Sequence, residues 1–264
     1  LKDPDASRSG KSWWRPVRLQ KVGGMTLREH FEASGNWLFR HRGVLPVLLL
    51  PLFLIAVRDP QSPTDRRWEG LCLAVSLLGL GVRVATVGFA APGTSGRNRG
   101  AQLATSLNTT GTYSLVRHPL YLANYLMWLG AAAFPRVWWL PLIVSLVFWL
   151  YYERIMFAEE EFLHGKFGSA FTSWAASTPA FIPRRLRWRP PDRPFSLRPV
   201  LRREYSGLWA LVLVFTALDT ARAFAATGRL VLDPVWGAAF SGTTLVAVVL
   251  RALRHRTRLL EKGE

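Results

Sequence analysis

Six apolar segments, nearly free of charge, alternate with basic ones along this chain, and that alternation restricts the folds open to it. They cover about residues 44–57, 71–91, 120–134, 137–157, 208–226 and 230–250. A helix needs about 20 apolar residues, within a range of about 17 to 25, to cross a bilayer core. Four of the six reach that length. The first and third are short and need their flanking residues to span. The pattern predicts an all-α, polytopic integral membrane protein with five to six transmembrane helices.

Composition agrees. Half of the 264 residues are hydrophobic and 19% are charged, below the ~25% of soluble domains. Twelve Trp also suit a membrane protein, since Trp favours the membrane interface. The net charge of +17 could mark a nucleic-acid binder, but sorting it by segment gives another reading. With the N-terminus inside, 27 of the 34 Lys and Arg fall in segments on the cytoplasmic side. Both termini are therefore expected in the cytoplasm, with basic faces resting on anionic lipid and no nucleic acid as partner. The single Cys72 excludes a disulfide framework, a CxxC zinc site and a thiol redox pair. His30, His41, His118, His164 and His255 show no metal-ligand spacing, so no metal is expected. No secretory signal is visible in the polar, basic residues 1–35.

The expected organisation has four parts. Residues 1–36 form a basic cytoplasmic segment, with Trp13 and Trp14 able to dip into the interface. Residues 37–190 form a membrane core of four spans and an amphipathic helix. Residues 191–206 are an Arg/Pro-rich connector, and 207–264 hold the last two spans and a basic tail. Gly93, Gly96 and Gly100 form neither a dinucleotide fingerprint nor a phosphate loop, so a nucleotide-like cofactor needs another architecture.

Two segments carry chemistry. Gly111-Thr112-Tyr113-Ser114-Leu115-Val116-Arg117-His118-Pro119-Leu120-Tyr121 enters the third span. Pro119 suits the first turn of a helix and biases His118 away from helix, so Arg117 and His118 fall on a turn with Tyr121 one turn inside. A helix N-terminus there offers N–H groups and a positive dipole end. Anchoring the helix at the interface would use the same residues. The second segment, 152–174, leaves the fourth span with an apolar stripe of Leu163, Phe167, Ala170, Phe171 and Trp174. Glu159 and Glu160 share the side of Leu163, Glu161 points away into solvent, and Gly168 breaks or bends the helix. Carboxylates on the apolar side need partners, which makes the pair a candidate site. An interfacial salt bridge is the plainer alternative.

Taken together, GxYxxVRHPxY, a helical hairpin, the paired Glu, Phe167-Gly168, the aromatic stripe and the closing Pro179-Ala180-Phe181-Ile182-Pro183 resemble the isoprenylcysteine carboxyl methyltransferase family. That family is related to the phospholipid N-methyltransferases, and the resemblance covers roughly residues 70–190. It implies an integral-membrane methyltransferase that holds S-adenosylmethionine in a cytoplasm-facing pocket and modifies a lipid or lipid-modified acceptor. Acceptors compatible with it are an isoprenylcysteine-type carboxylate, a phospholipid headgroup or a lipid-linked phosphate. Carried onto this sequence, the implied cofactor-binding residues are Thr105, Ser106, Leu107, Asn108, Tyr113, His118, Tyr121, Glu159 and Glu160. Between the last two, a one-residue shift of alignment exchanges roles. Arg117 or Arg154 would bind an anionic acceptor, Arg154 standing about one position from where the family places an Arg. The last two spans have no counterpart in the family.

Other classes remain in view. Membrane sterol reductases share an RHP-Tyr element but bind NADPH and have a His/Arg/Asp-rich segment where this chain has Glu159-Glu160-Glu161. A non-enzymatic scaffold or transporter would bind neither cofactor. Within the spans, Arg83 and the pair Asp219 and Arg222 are costly, and they would either line an acceptor path or form structural ion pairs.

Overall fold

The computed structural model describes residues 26–59, 65–91, 104–184 and 187–256. The N-terminal segment with Trp13 and Trp14, the glycines 93, 96 and 100, and the end of the basic tail lie outside the described residues. The described chain is all-helical: α1 Leu27–His41, α2 Leu50–Ala56, α3 Arg66–Phe89, α4 Pro119–Ala133, α5 Trp139–Phe167, α6 Ser169–Ser177, α7 Leu197–Thr227 and α8 Pro234–Arg256. Helices α3, α5, α7 and α8 are long and apolar enough to cross a membrane.

The first expected span has a different form. Residues 45–49 make a 3₁₀ turn and only Leu50–Ala56 is α-helical. Pro46 and Pro51 explain this, because each lacks the N–H that a continuous helix needs there. The short helix still packs inward, with Phe53, Ala56 and the following Val57 buried in one cluster with Leu140, Phe215 and Trp236. The third expected span, α4, is 15 residues long. It gains support from α3 through unusually close packing. A Cβ on Gly130 would lie 2.4 Å from the Cys72 carbonyl oxygen, and one on Gly79 would lie 2.5 Å from the Ala123 carbonyl oxygen. Small residues at such crossings let backbones approach where lipid supplies no hydrophobic drive between helices. Ser76 Oγ donates to the Met127 carbonyl across the same seam, at 3.0 Å.

Helix α1 begins with a capping box of Thr26 and Glu29 and packs along the far end of α5. Gly35 makes the approach possible, since a Cβ there would lie 2.1 Å from the Arg154 carbonyl oxygen. Helix α5 ends where Gly168 takes φ +52, a conformation that favours glycine, and α6 starts in a new direction. Helix α7 packs on α3 and shares its core through Leu211, Phe215 and Leu218. At the α7 end of that seam, Arg222 bridges Asp219 at 2.6 Å and Glu69 of α3 at 2.8 Å. Asp219 and Arg222 therefore form a structural ion-pair cluster with Glu69.

The α3–α4 seam gives a direct test. Gly130→Leu should lower the thermal midpoint of the detergent-purified protein, at about 1–3 kcal/mol for an overpacked site. Gly81→Leu, where nothing lies within 4 Å of a new Cβ, should leave it unchanged.

Candidate functional site

The site is built from the entry to α4 and the exit from α5. Residues Gly111–Ser114 form a 3₁₀ turn that starts with Gly111 at φ +60. Ser114 Oγ closes it by donating to the Gly111 carbonyl at 2.7 Å. The chain then extends, and the N–H groups of Arg117 and His118 donate to the carbonyls of Pro179 and Ala180 at 2.9 and 3.1 Å. The closing Pro-rich element is thus paired with the RHP element along the backbone. Pro119 opens α4 without an N–H to leave unsatisfied, and His118 before it is held off the helix at φ −121.

Helix α5 brings its paired carboxylates to this turn. His118 is 5% exposed, and its Nε2 lies 2.8 Å from Glu160 Oε1. Arg117 Nε lies 2.9 Å from the same oxygen as an ion pair, although its N–H is not aimed along that line and forms no hydrogen bond. Arg117 Nη1 donates to the Ala175 carbonyl of α6 at 2.9 Å. Glu159 is held differently. Tyr121 OH donates to Glu159 Oε2 at 2.8 Å, and His118 Nδ1 is 3.7 Å from that oxygen. The rings of His118 and Tyr121 stack with centroids 5.5 Å apart. Glu159 keeps 33% of its side chain exposed and is the more open of the two.

Tyr113 joins from the 3₁₀ turn. Burial pushes its phenol up, the nearby Glu159 carboxylate adds to this, and a hydrogen bond with the Asn108 side chain opposes it. The structure therefore gathers Asn108, Tyr113, Arg117, His118, Tyr121, Glu159 and Glu160 in one place. Thr105 and Ser106 are exposed in the loop ahead of the turn, with Leu107 half-buried. Arg154 is not brought to this group. It packs over the Phe31 ring at 5.4 Å, on the side of α5 that faces α1. Arg117 is committed to Glu160 and α6. Glu161, expected in solvent, instead pairs with Arg28 of α1, because α1 packs along that side of α5.

Two features escaped the sequence. One is a polar network below the site. Arg83 of α3 donates through Nε and Nη2 to both oxygens of Glu204 on α7, at 2.7 and 3.1 Å, and through Nη1 to Asn124 of α4. Arg83 stood out in sequence, but Glu204 sits in the charged run Arg202-Arg203-Glu204 and reads as cytoplasmic. The other is a strap. Residues 189–196 cross the Gly111–Ser114 turn, with Gly111 N–H donating to the Arg189 carbonyl at 2.9 Å and Arg189 N–H to Ser114 Oγ at 3.0 Å. Thr110 Oγ1 donates to Asp192 at 3.0 Å, and Ser196 N–H donates to the Gly88 carbonyl at 2.8 Å. Phe195 lies so close over Gly88 that a Cβ there would be 2.1 Å from its ring. Ser114→Ala should loosen the strap by removing the oxygen that accepts from Arg189 N–H and the bond that closes the turn on Gly111. Trypsin should then cut faster after the exposed Arg187, followed by mass spectrometry, and an unchanged rate would mean that Ser114 does not hold it.

Comparison with known proteins places this core. The model of the phospholipid methyltransferase family matches residues 70–170. The chain is 36% identical to the nickel-cobalt-cadmium resistance protein NccN of Alcaligenes xylosoxydans xylosoxydans, over 56% of this chain and 68% of that protein. It is 35% identical to the cobalt-zinc-cadmium resistance protein CzcN of Cupriavidus metallidurans, over 60% of this chain and 71% of that one. No solved structure matches the chain. The matched span includes the RHP turn, α4 and both carboxylates, and the chain belongs to the phospholipid methyltransferase family.

Proposed function

We propose that the protein is an integral-membrane methyltransferase that uses S-adenosylmethionine and modifies a lipid or lipid-modified acceptor. The observation that carries this reading is the half-open Glu159, held on one oxygen by Tyr121 and surrounded by the rings of Tyr113, His118 and Tyr121. A carboxylate with aromatic neighbours fits a cationic, nucleoside-bearing cofactor. When bound, that cofactor supplies an electrophilic methyl group on a sulfonium.

The chain's own residues then have separate roles. Glu160 is occupied by His118 and Arg117 and fixes the turn. Glu159 offers its exposed side for binding, and Tyr121 orients it. Methyl transfer needs alignment of two reactants more than acid–base chemistry, so rigid placement contributes much of the rate. A carboxylate or phosphate acceptor arrives already ionised and needs no base from the protein.

A small, open-sided apolar cavity lies beside the site, lined by Leu49, Trp128, Val144, Phe148 and Tyr152 among others. Tyr152 packs on Tyr121 with ring centroids 4.8 Å apart. A hydrocarbon chain in that cavity would bring its polar end towards Glu159. We place both termini in the cytoplasm from the distribution of Lys and Arg, with the cofactor site on that side. The division into a core of residues 37–190 and a C-terminal pair of spans is part of the same proposal. The anionic end of the acceptor meets Arg117 or Arg154 only if one of them leaves its present partners.

The two carboxylates should separate by substitution. Glu159→Gln should weaken S-adenosylmethionine binding about 10-fold or more, on the scale of a lost charge-assisted hydrogen bond, with the melting temperature kept. Glu160→Gln should lower the melting temperature, because Arg117 loses its ion-pair partner and His118 its charged acceptor. Calorimetry and thermal unfolding in detergent measure the two. Unchanged cofactor binding in Glu159→Gln would remove Glu159 from the site, and retention of NADPH in place of S-adenosylmethionine would replace the proposed reaction.

A further inference from the structure

We propose that Glu204, on α7 and outside the family-matched core, is a positioning residue for the cofactor site. This rests on the S-adenosylmethionine reading above. Glu204 is 4% exposed and accepts two hydrogen bonds from Arg83. Arg83 fixes Asn124 by donating to its carbonyl oxygen. Asn124 Nδ2 then donates to Tyr152 OH at 3.3 Å. The Tyr152 ring packs between Phe148, at 4.1 Å, and Tyr121, at 4.8 Å. Tyr121 in turn donates to Glu159. Each link is a contact between different elements: α7 to α3, α3 to α4, α4 to α5, and back to the first turn of α4.

The arrangement also explains why two charges lie among four apolar helices. Such a pair is weak evidence for stability, since well-packed apolar residues often replace one at no loss. Its geometry serves another purpose here. The bidentate grip fixes the plane of the Arg83 guanidinium and so aims Nη1 at Asn124. Without the carboxylate, the guanidinium would turn to other acceptors and the amide of Asn124 would lose its fixed orientation. Tyr152 would lose its donor and Tyr121 its support. The C-terminal pair of spans thereby becomes a working part of the site.

The test uses the full-length protein in detergent. Glu204→Gln alone strands a buried Arg83 and can unfold the protein, so the informative variant is Arg83→Met with Glu204→Met, which removes both charges. The expected result is a melting temperature near that of the unsubstituted protein with S-adenosylmethionine binding about fivefold weaker, the scale of one net hydrogen bond. Asn124→Ala should give the same loss, and adding it to the double variant should give little more, because the links act in series. Faster hydrogen exchange across residues 117–125 in the double variant reports the loosened turn independently of any cofactor. Binding and exchange that both stay unchanged, or that merely follow the melting temperature across the variants, overturn the proposal. If the unsubstituted protein retains no S-adenosylmethionine, the functional reading fails, and the exchange result alone decides the role of Glu204.

Discussion

Glu160 ties the structure together where the chemistry is placed. One oxygen of this side chain meets both His118 and Arg117, and so locks the far end of α5 to the first turn of α4. Pro119 keeps the residues before it out of the helix, so the RHP turn depends on this clamp together with its backbone pairing to Pro179 and Ala180. Once the clamp is set, the neighbouring Glu159 must face the rings of Tyr121 and His118. Buried or half-buried charges at a membrane surface are tolerated when every partner is in reach. Here the partners come from the turn before α4, from Tyr121 in α4 and from α6.

Most of the fold could be read from the chain because lipid makes strict demands on length. Helices α3, α5, α7 and α8 coincide with apolar segments of spanning length. The first segment was apolar enough but carries Pro46 and Pro51, and hydropathy weighs side chains without asking which N–H groups are missing. The short α4 is matched to α3 by Gly79 and Gly130, a fit between two surfaces that no single segment displays. Gly168 was legible as a break because glycine alone sits easily at its positive φ.

The site was legible where chemistry and spacing coincide. Arg117, His118, Tyr121, Glu159 and Glu160 do meet, since the RHP turn and the α5 stripe each point one way. Arg154 was chosen by nearness in sequence to the paired Glu, yet α5 carries it round to face Phe31. Glu161 lies beside Glu160 and still pairs with α1, because one step along a helix turns a side chain by about 100°. Glu204 was hidden for a different reason. Its partner Arg83 is 121 positions away, and its basic neighbours disguised it as part of a solvent-facing stretch.

The strap has a consequence for how the protein is made. Synthesis runs from N- to C-terminus, so α3, α4 and α5 emerge before the segment that crosses their turn. At that stage Ser114 and Gly111 lack their ties to Arg189, and Arg83 lies in an apolar bundle without its carboxylate. The last hairpin, α7 and α8, supplies that carboxylate and draws the strap taut over Gly88. A chain halted before residue 197 would carry every motif of the site and the residues of its strap, but not the counter-charge on Glu204. Completion of the final hairpin is thus the step at which a half-built and electrically unbalanced bundle becomes a finished one.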